Sequence, residues 1–523
     1  MLLVGDMLKR DAKLFGRKLA VIDGTNHFTY ADLNNRANRL GNALIHLGLK
    51  KGDRVSFMGN NSHEFIEFYF GLAKIGLVTV PINARFSADE ASYVVNHSES
   101  AAFIFAEEAE ATASKMSPNV PGVRWLISTR EGWDGVLSYE EMLEHASCQE
   151  PDAKIEPGDV GMIMYTSGAT GHPKGVITTY RNIMANTQTM VLELCITHEE
   201  INLLVMPMYH NGGFWPTMSI VHRGATNVLM PRFDLDNVLK SIEEKKVTFL
   251  NLVPTMLLRI ISEPNLSEYN LESLRLIMYA GAPIPIKQLK KAMSILGPHR
   301  FYNSLGCTEA SGNLLSFPPS DHALEGPLAS KLGSVGKDAW GVEVTIVDDH
   351  GNELPFGKTG EIIARGDNIT LGYLKMPEET AAVFKNGWLY TGDMGYRDED
   401  GYVFVVDRKK DIIISGGENV ASREVEETLH QHPAVQQACV IGVPDDEWGE
   451  AVKAIIVLDP TAKGTVGEAD LIEFCRLRLA GYKKPRSIDF VEDLPKNAAG
   501  KIDKARLRKL YTEKQKEAVR ING

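Results

Sequence analysis

Residues 165–176 read YTSGATGHPKGV. Three glycines, a proline, three small hydroxyl side chains and a lysine fall within twelve residues, a composition that suits neither a helix nor a strand. Glycine admits positive φ and lets backbone N–H groups approach a ligand closely. Successive N–H groups of that kind form an anion nest, to which Thr166, Ser167 and Thr170 add directed donors and Lys174 a point charge. A plain surface turn rarely combines all of these, so the stretch reads as a polyphosphate cradle. Its spacing excludes the commonest one: a Walker loop needs G-x-x-x-x-G-K-[ST], whereas Lys174 stands three residues beyond Gly171 and is followed by Gly175. No G-x-G-x-x-G, G-x-S-x-G or H-E-x-x-H occurs, so dinucleotide and two hydrolase readings lack support.

Outward from the cradle, short apolar runs alternate with helical patterns. Residues 29–48 place Leu33, Ala37, Leu40, Leu44 and Leu47 on one helix face, with Thr29 as N-cap. Strand-like RVSFMGNN, helical HEFIEFYFGLAKIG and strand-like LVTVPIN follow, and strand-like runs return at 203–206, 247–253 and 274–280. Such alternation predicts an α/β fold, with helix-covered parallel sheets. Beyond about residue 330 the period becomes two, around an Asp-His-Gly turn, which predicts hairpins. A charged stretch at 407–420, DRKKDIIISGGENV, precedes a compact α+β pattern. We expect a large N-terminal domain of layered sheets (1–407), a hinge (408–411) and a small mobile α+β domain (412–523).

The chain has 523 residues, 44% of them hydrophobic, and a net charge of −12. Its pI of about 5.7 argues against a general nucleic-acid binder. Five scattered cysteines without a CxxC pair support neither a disulfide framework nor a zinc site. The start, MLLVGDMLKR, is charged too early for a signal peptide, and no run of 18 apolar residues occurs. A cytoplasmic enzyme is expected. The basic tail KARLRKLYTEKQKEAVR reads as a solvated helix face rather than a membrane contact.

The cradle resembles the phosphate loop of the adenylate-forming enzymes, a superfamily that includes acyl-CoA synthetases and fatty-acid–CoA ligases (AMP-forming), aryl-CoA ligases, luciferases and peptide-synthetase adenylation domains. Five further motifs stand in that family's order: AGAP at 280–283, LGCTEA at 305–310, YTGD at 390–393, the 407–420 stretch, and PKNAAGKI at 495–502. The resemblance covers nearly the whole chain. It implies an acyl-CoA ligase that uses ATP, Mg²⁺ and coenzyme A to activate a small-molecule carboxylic acid, with a homodimer among the compatible assemblies.

The resemblance also implies roles. Thr166, Ser167, Gly168, Ala169, Thr170, Gly171 and Lys174 hold the phosphates. Gly281, Ala282, Pro283 and Asn303 lie at the nucleotide. Thr308 touches the α-phosphate and Glu309 holds Mg²⁺, as a hard oxygen donor suits. Asp393 accepts from the ribose hydroxyls and Arg408 joins it. Lys501 swings in to bridge the acid and α-phosphate oxygens. Lys410 is the hinge, Gly416 and Gly417 flank the pantetheine tunnel, and His210 closes one wall of the acid pocket. Phe214 and Trp215 are pocket wall or core. Cys307 reads as a small pocket-lining residue. Two departures stand out. Ala169 replaces a hydroxyl residue, and Leu305 replaces an aromatic that stacks on adenine. Stacking beyond burial is worth only ~0.5–1.5 kcal/mol, so weaker ATP binding is expected rather than lost function.

A medium- or long-chain fatty acid is the first expectation for the substrate, and a cinnamate- or benzoate-like acid the second. Two rivals are an adenylation enzyme that loads a carrier protein and a silent nucleotide-binding protein.

Overall fold

The computed structural model describes residues 2–130, 133–166, 173–445, 447–496 and 502–522, with the backbone course alone beyond residue 513. It is a mixed α/β protein with a large N-terminal domain and a small, β-rich C-terminal one. The predicted helix over 29–48 is Tyr30–His46. Thr29 accepts from the Asp32 N–H, and Asp32 accepts from that of Thr29, so two orphan donors are satisfied reciprocally.

Two large sheets carry most of the chain. In the seven-stranded sheet, Arg54–Met58 and Val78–Ile82 lie side by side in parallel, and Val160–Thr166 follows. In the nine-stranded sheet, six neighbouring strands run parallel, from Phe301–Cys307 at one end to Leu19–Asp23 at the other. The helices His63–Ala73 and Asn211–His222 lie between the sheets. They share one core with Phe57, Ala102 and Ile104 of the first sheet and Leu204 and Leu229 of the second. The outer face of each sheet has its own core. Strand periodicity decides which: Ile104 points into the shared core, Phe103 and Phe105 into the outer one.

The hairpin-like region is a five-stranded antiparallel sheet in which Val342–Val347 pairs with Gly360–Gly366. The Asp-His-Gly turn is closed by the Gly351 N–H to the Asp348 carbonyl. The last strand, Val403–Arg408, keeps Arg408 in this sheet, so the chain leaves it at Lys409.

The C-terminal sheet begins at Ile413–Ser415. Ser422–His430 and Glu468–Arg476 cover one face, and Lys504–Asn522 covers the other through Leu507 and Tyr511. Among the described residues no helix is long and apolar enough to cross a membrane.

Candidate active site

Ligands of open parallel sheets collect beyond the carboxyl ends of the strands. Three expected segments lie there. His210 follows strand Ile201–Leu204, Gly281 to Pro283 follow Leu276–Ala280, and Thr308 and Glu309 follow Phe301–Cys307. In the other sheet, Thr166 ends strand Val160–Thr166 and pairs with Lys174 on the antiparallel return strand. Ser167, Gly168, Ala169, Thr170 and Gly171 lie outside the described residues, as does Lys501. Lys496 and Ile502, the nearest described residues on either side of 497–501, pair in an antiparallel bridge.

Glu309 is gripped from both ends. Its carbonyl accepts from the Thr370 N–H (3.0 Å) and hydroxyl (2.8 Å). Its carboxylate accepts from the Tyr373 hydroxyl at 2.7 Å. Lys174 Nζ stands 5.0 Å over the Tyr373 ring. The segment carrying Tyr373 also runs along the strand of Lys174: Leu374 N–H bonds the Gly175 carbonyl and Ile177 N–H that of Gly372. Lys174, Tyr373 and Glu309 therefore form one connected unit. Sequence reasoning missed Tyr373 and Thr370. Their signal is weak, because a lone tyrosine sixty-four positions from its partner has no spacing to read.

Asp393 and Arg408 face one another across adjacent strands, Nε to Oδ1 3.1 Å. The Asp393 carboxylate is the main influence raising the Arg408 pKa. Cys307 senses the whole group. Burial first, then the Glu309 and Asp393 carboxylates, push its thiol well above the ordinary value, while Arg408 opposes them. A thiol so held stays protonated and weakly nucleophilic, which fits a wall residue. The same anionic field suits a cation, and Glu309 offers the carboxylate oxygen that Mg²⁺ prefers.

Asn303 pairs in register with Tyr279, one residue before Ala280, so the AGAP and LGCTEA segments are neighbours. Gly306 has no room for a side chain: a Cβ there would lie 1.9 Å from the Gly312 carbonyl oxygen. Leu305 is half-buried beside Cys307 in the core of the five-stranded sheet. His210 heads the helix Asn211–His222, its carbonyl accepting from Gly213 and Phe214. Phe214 and Trp215 are both buried in the core between the sheets.

Lys410 is exposed in the turn after Arg408, where the Asp411 N–H bonds the Arg408 carbonyl. Gly416 and Gly417 form the two-residue turn between Ile413–Ser415 and Glu418–Val420, with φ of +62° and +84°. Positive φ at both positions is what that hairpin turn requires. Gly416 also bonds the Trp448 carbonyl, and a Cβ on it would strike the Trp448 ring at 2.6 Å. No contact described links this turn to Glu309 or Asp393. A cavity of about 460 Å³, lined by residues such as Arg36, His63 and Glu108, shares none of the expected site residues.

The profile described as AMP-binding enzyme matches residues 8–374, and that described as AMP-binding enzyme C-terminal domain matches 424–501. A long-chain-fatty-acid–CoA ligase FadD13 of Mycobacterium tuberculosis is 35% identical over 517 residues, covering 97% of this chain and 98% of its own. A feruloyl-CoA synthase from an Amycolatopsis species is 33% identical over 513 residues, covering 97% and 99%. Among solved structures, an anthranilate CoA ligase AuaEII in complex with anthranoyl-AMP superposes with a TM-score of 0.91 at 29% identity, covering 98% of both chains.

Proposed function

Because this chain belongs to the AMP-binding enzyme family, and is thereby an AMP-forming acid–thiol ligase, we propose that it converts a carboxylic acid, ATP and CoA into acyl-CoA, AMP and pyrophosphate. The acid read first is a medium- or long-chain fatty acid, a reading supported by the 35% identity to a long-chain-fatty-acid ligase. An aryl acid is second, favoured by the feruloyl-CoA synthase at 33%. The observation that carries the reaction class is the Lys174–Tyr373–Glu309 unit beside the Asp393–Arg408 pair.

In the first step a carboxylate oxygen of the acid bonds the α-phosphorus as the bond to pyrophosphate breaks. Thr166 and Lys174 would hold the phosphates, with Ser167, Gly168, Ala169, Thr170 and Gly171 completing the cradle. Thr308 would donate to an α-phosphate oxygen. Glu309, oriented by Tyr373, would hold Mg²⁺, which when bound offsets charge on the phosphates. Asp393, already oriented by Arg408, would accept from the ribose, and Gly281, Ala282, Pro283 and Asn303 would border the base. Lys501 would approach as negative charge grows on the α-phosphate. In the second step the CoA sulfur bonds the acyl carbon and AMP departs. The small C-terminal domain would turn about Lys410 between the steps, bringing the Gly416–Gly417 turn to the thiol.

The test is acid-dependent pyrophosphate release and acyl-CoA formation over n-alkanoates of graded length, benzoate and ferulate. Pyrophosphate release without thioester, whatever the acid, would overturn the CoA ligase reading and favour transfer to a carrier protein.

A further inference from the structure

Residues 205–210, which lead to His210, are neither helix nor strand, yet most of them are buried. Buried backbone groups without a ladder need partners from elsewhere. One side chain supplies several. Asn61, 3% exposed, reaches across from the seven-stranded sheet to the carboxyl ends of two strands of the nine-stranded one. Its Nδ2 donates to the carbonyls of Met206 (3.0 Å) and Met230 (3.1 Å), with Leu204 at 3.4 Å, and its Oδ1 accepts from the Met208 N–H at 2.8 Å.

The other polar group of Met208 is held by the same segment of chain. The Tyr69 hydroxyl, on the helix His63–Ala73, donates to the Met208 carbonyl at 2.8 Å. That helix is anchored in turn, since Asp23 Oδ2 accepts from the His63 N–H at 3.0 Å. His210 stands two residues beyond Met208, and its own N–H bonds the Pro207 carbonyl. Only a short amide offers two donors and an acceptor in this space; aspartate lacks the donors and leucine lacks both.

We propose that Asn61, seconded by Tyr69, is a positioning residue that fixes the 205–210 segment and so sets His210 against the acid. The inference rests on the acid–CoA ligase reading and on His210 bordering the acid. Asn61 touches none of the expected nucleotide residues, so its loss acts on the acid and not on ATP.

The test is steady-state kinetics of Asn61→Ala and Tyr69→Phe, each with the acid that the wild type turns over fastest from the panel above. A displaced His210 raises the KM for the acid by roughly tenfold or more in Asn61→Ala, and less in Tyr69→Phe, with the KM for ATP unchanged. In a His210→Ala background the Asn61→Ala effect on acid KM shrinks, because the two residues act as one unit. Partial unfolding lowers the active fraction and moves neither KM. Unchanged acid KM in the folded variants, or equal rises for acid and ATP, overturns the inference. Should Asn61→Ala fail to fold, Tyr69→Phe decides alone. A wild type that releases no pyrophosphate with any acid strikes the ligase reading instead.

Discussion

At the scale of single residues, charge and burial make separable demands. Glu309→Gln leaves an oxygen that can still accept from Tyr373 but removes the negative charge, so pyrophosphate release should need a higher Mg²⁺ concentration; an identical Mg²⁺ titration would argue against metal contact. Lys501→Ala should lose ~10²–10³ in adenylate formation and still make thioester from supplied acyl-adenylate and CoA. Equal loss of both halves would contradict the role. His322 reports on stability. Its Nδ1–H donates to the Pro318 carbonyl (2.9 Å), and its Nε2 lies 3.0 Å from the Tyr279 hydroxyl. Burial is the main cause pulling its pKa from 6.5 to about 4. Below pH 6.5 the unfolded chain takes a proton that the native ring refuses. Stability from this group therefore falls by up to about 1.4 kcal/mol per pH unit down to pH 4, and no further. His322→Gln should flatten that part of the denaturation profile, read as the difference from wild type.

At the scale of elements, the hairpin turn at Gly416 and Gly417 separates strain from collision. Alanine at Gly417 meets no atom within 4 Å, so only positive φ opposes it, at ~1–2 kcal/mol. Alanine at Gly416 meets the Trp448 ring as well. Both should slow thioester formation more than adenylation, Gly416→Ala the more severely; stopped assays of the two half-reactions would read this. Elements of this kind were legible in advance because their signals are local. The Thr29 N-cap, the 3.6 period of 29–48 and the alternating strands all announce themselves within a few residues. Tyr373 and Asn61 did not. Each acts on a partner more than sixty or a hundred positions away, and only the crossing of two sheets brings them together. The glycine motif was visible as chemistry, whereas the reason Gly306 is glycine, a backbone oxygen from the next strand, was not.

At the scale of the whole molecule, two sheet systems meet at a short exposed link. Arg408, Lys409 and Lys410 are exposed, while on either side the chain is committed to a sheet. Ties cross the link: Asp407 accepts from the Ser422 N–H and hydroxyl, and Glu427 accepts from the Ile286 N–H at 3.2 Å. Brief trypsin treatment should cut first at 408–410 and leave two resistant fragments. An early cut elsewhere, with this link intact, would count against a hinge here. The crowding at Gly306 has a further consequence for anyone breeding this catalyst toward new acids. Libraries randomised at that codon will return mostly inactive clones, so diversity is better spent on positions whose neighbours are side chains able to yield.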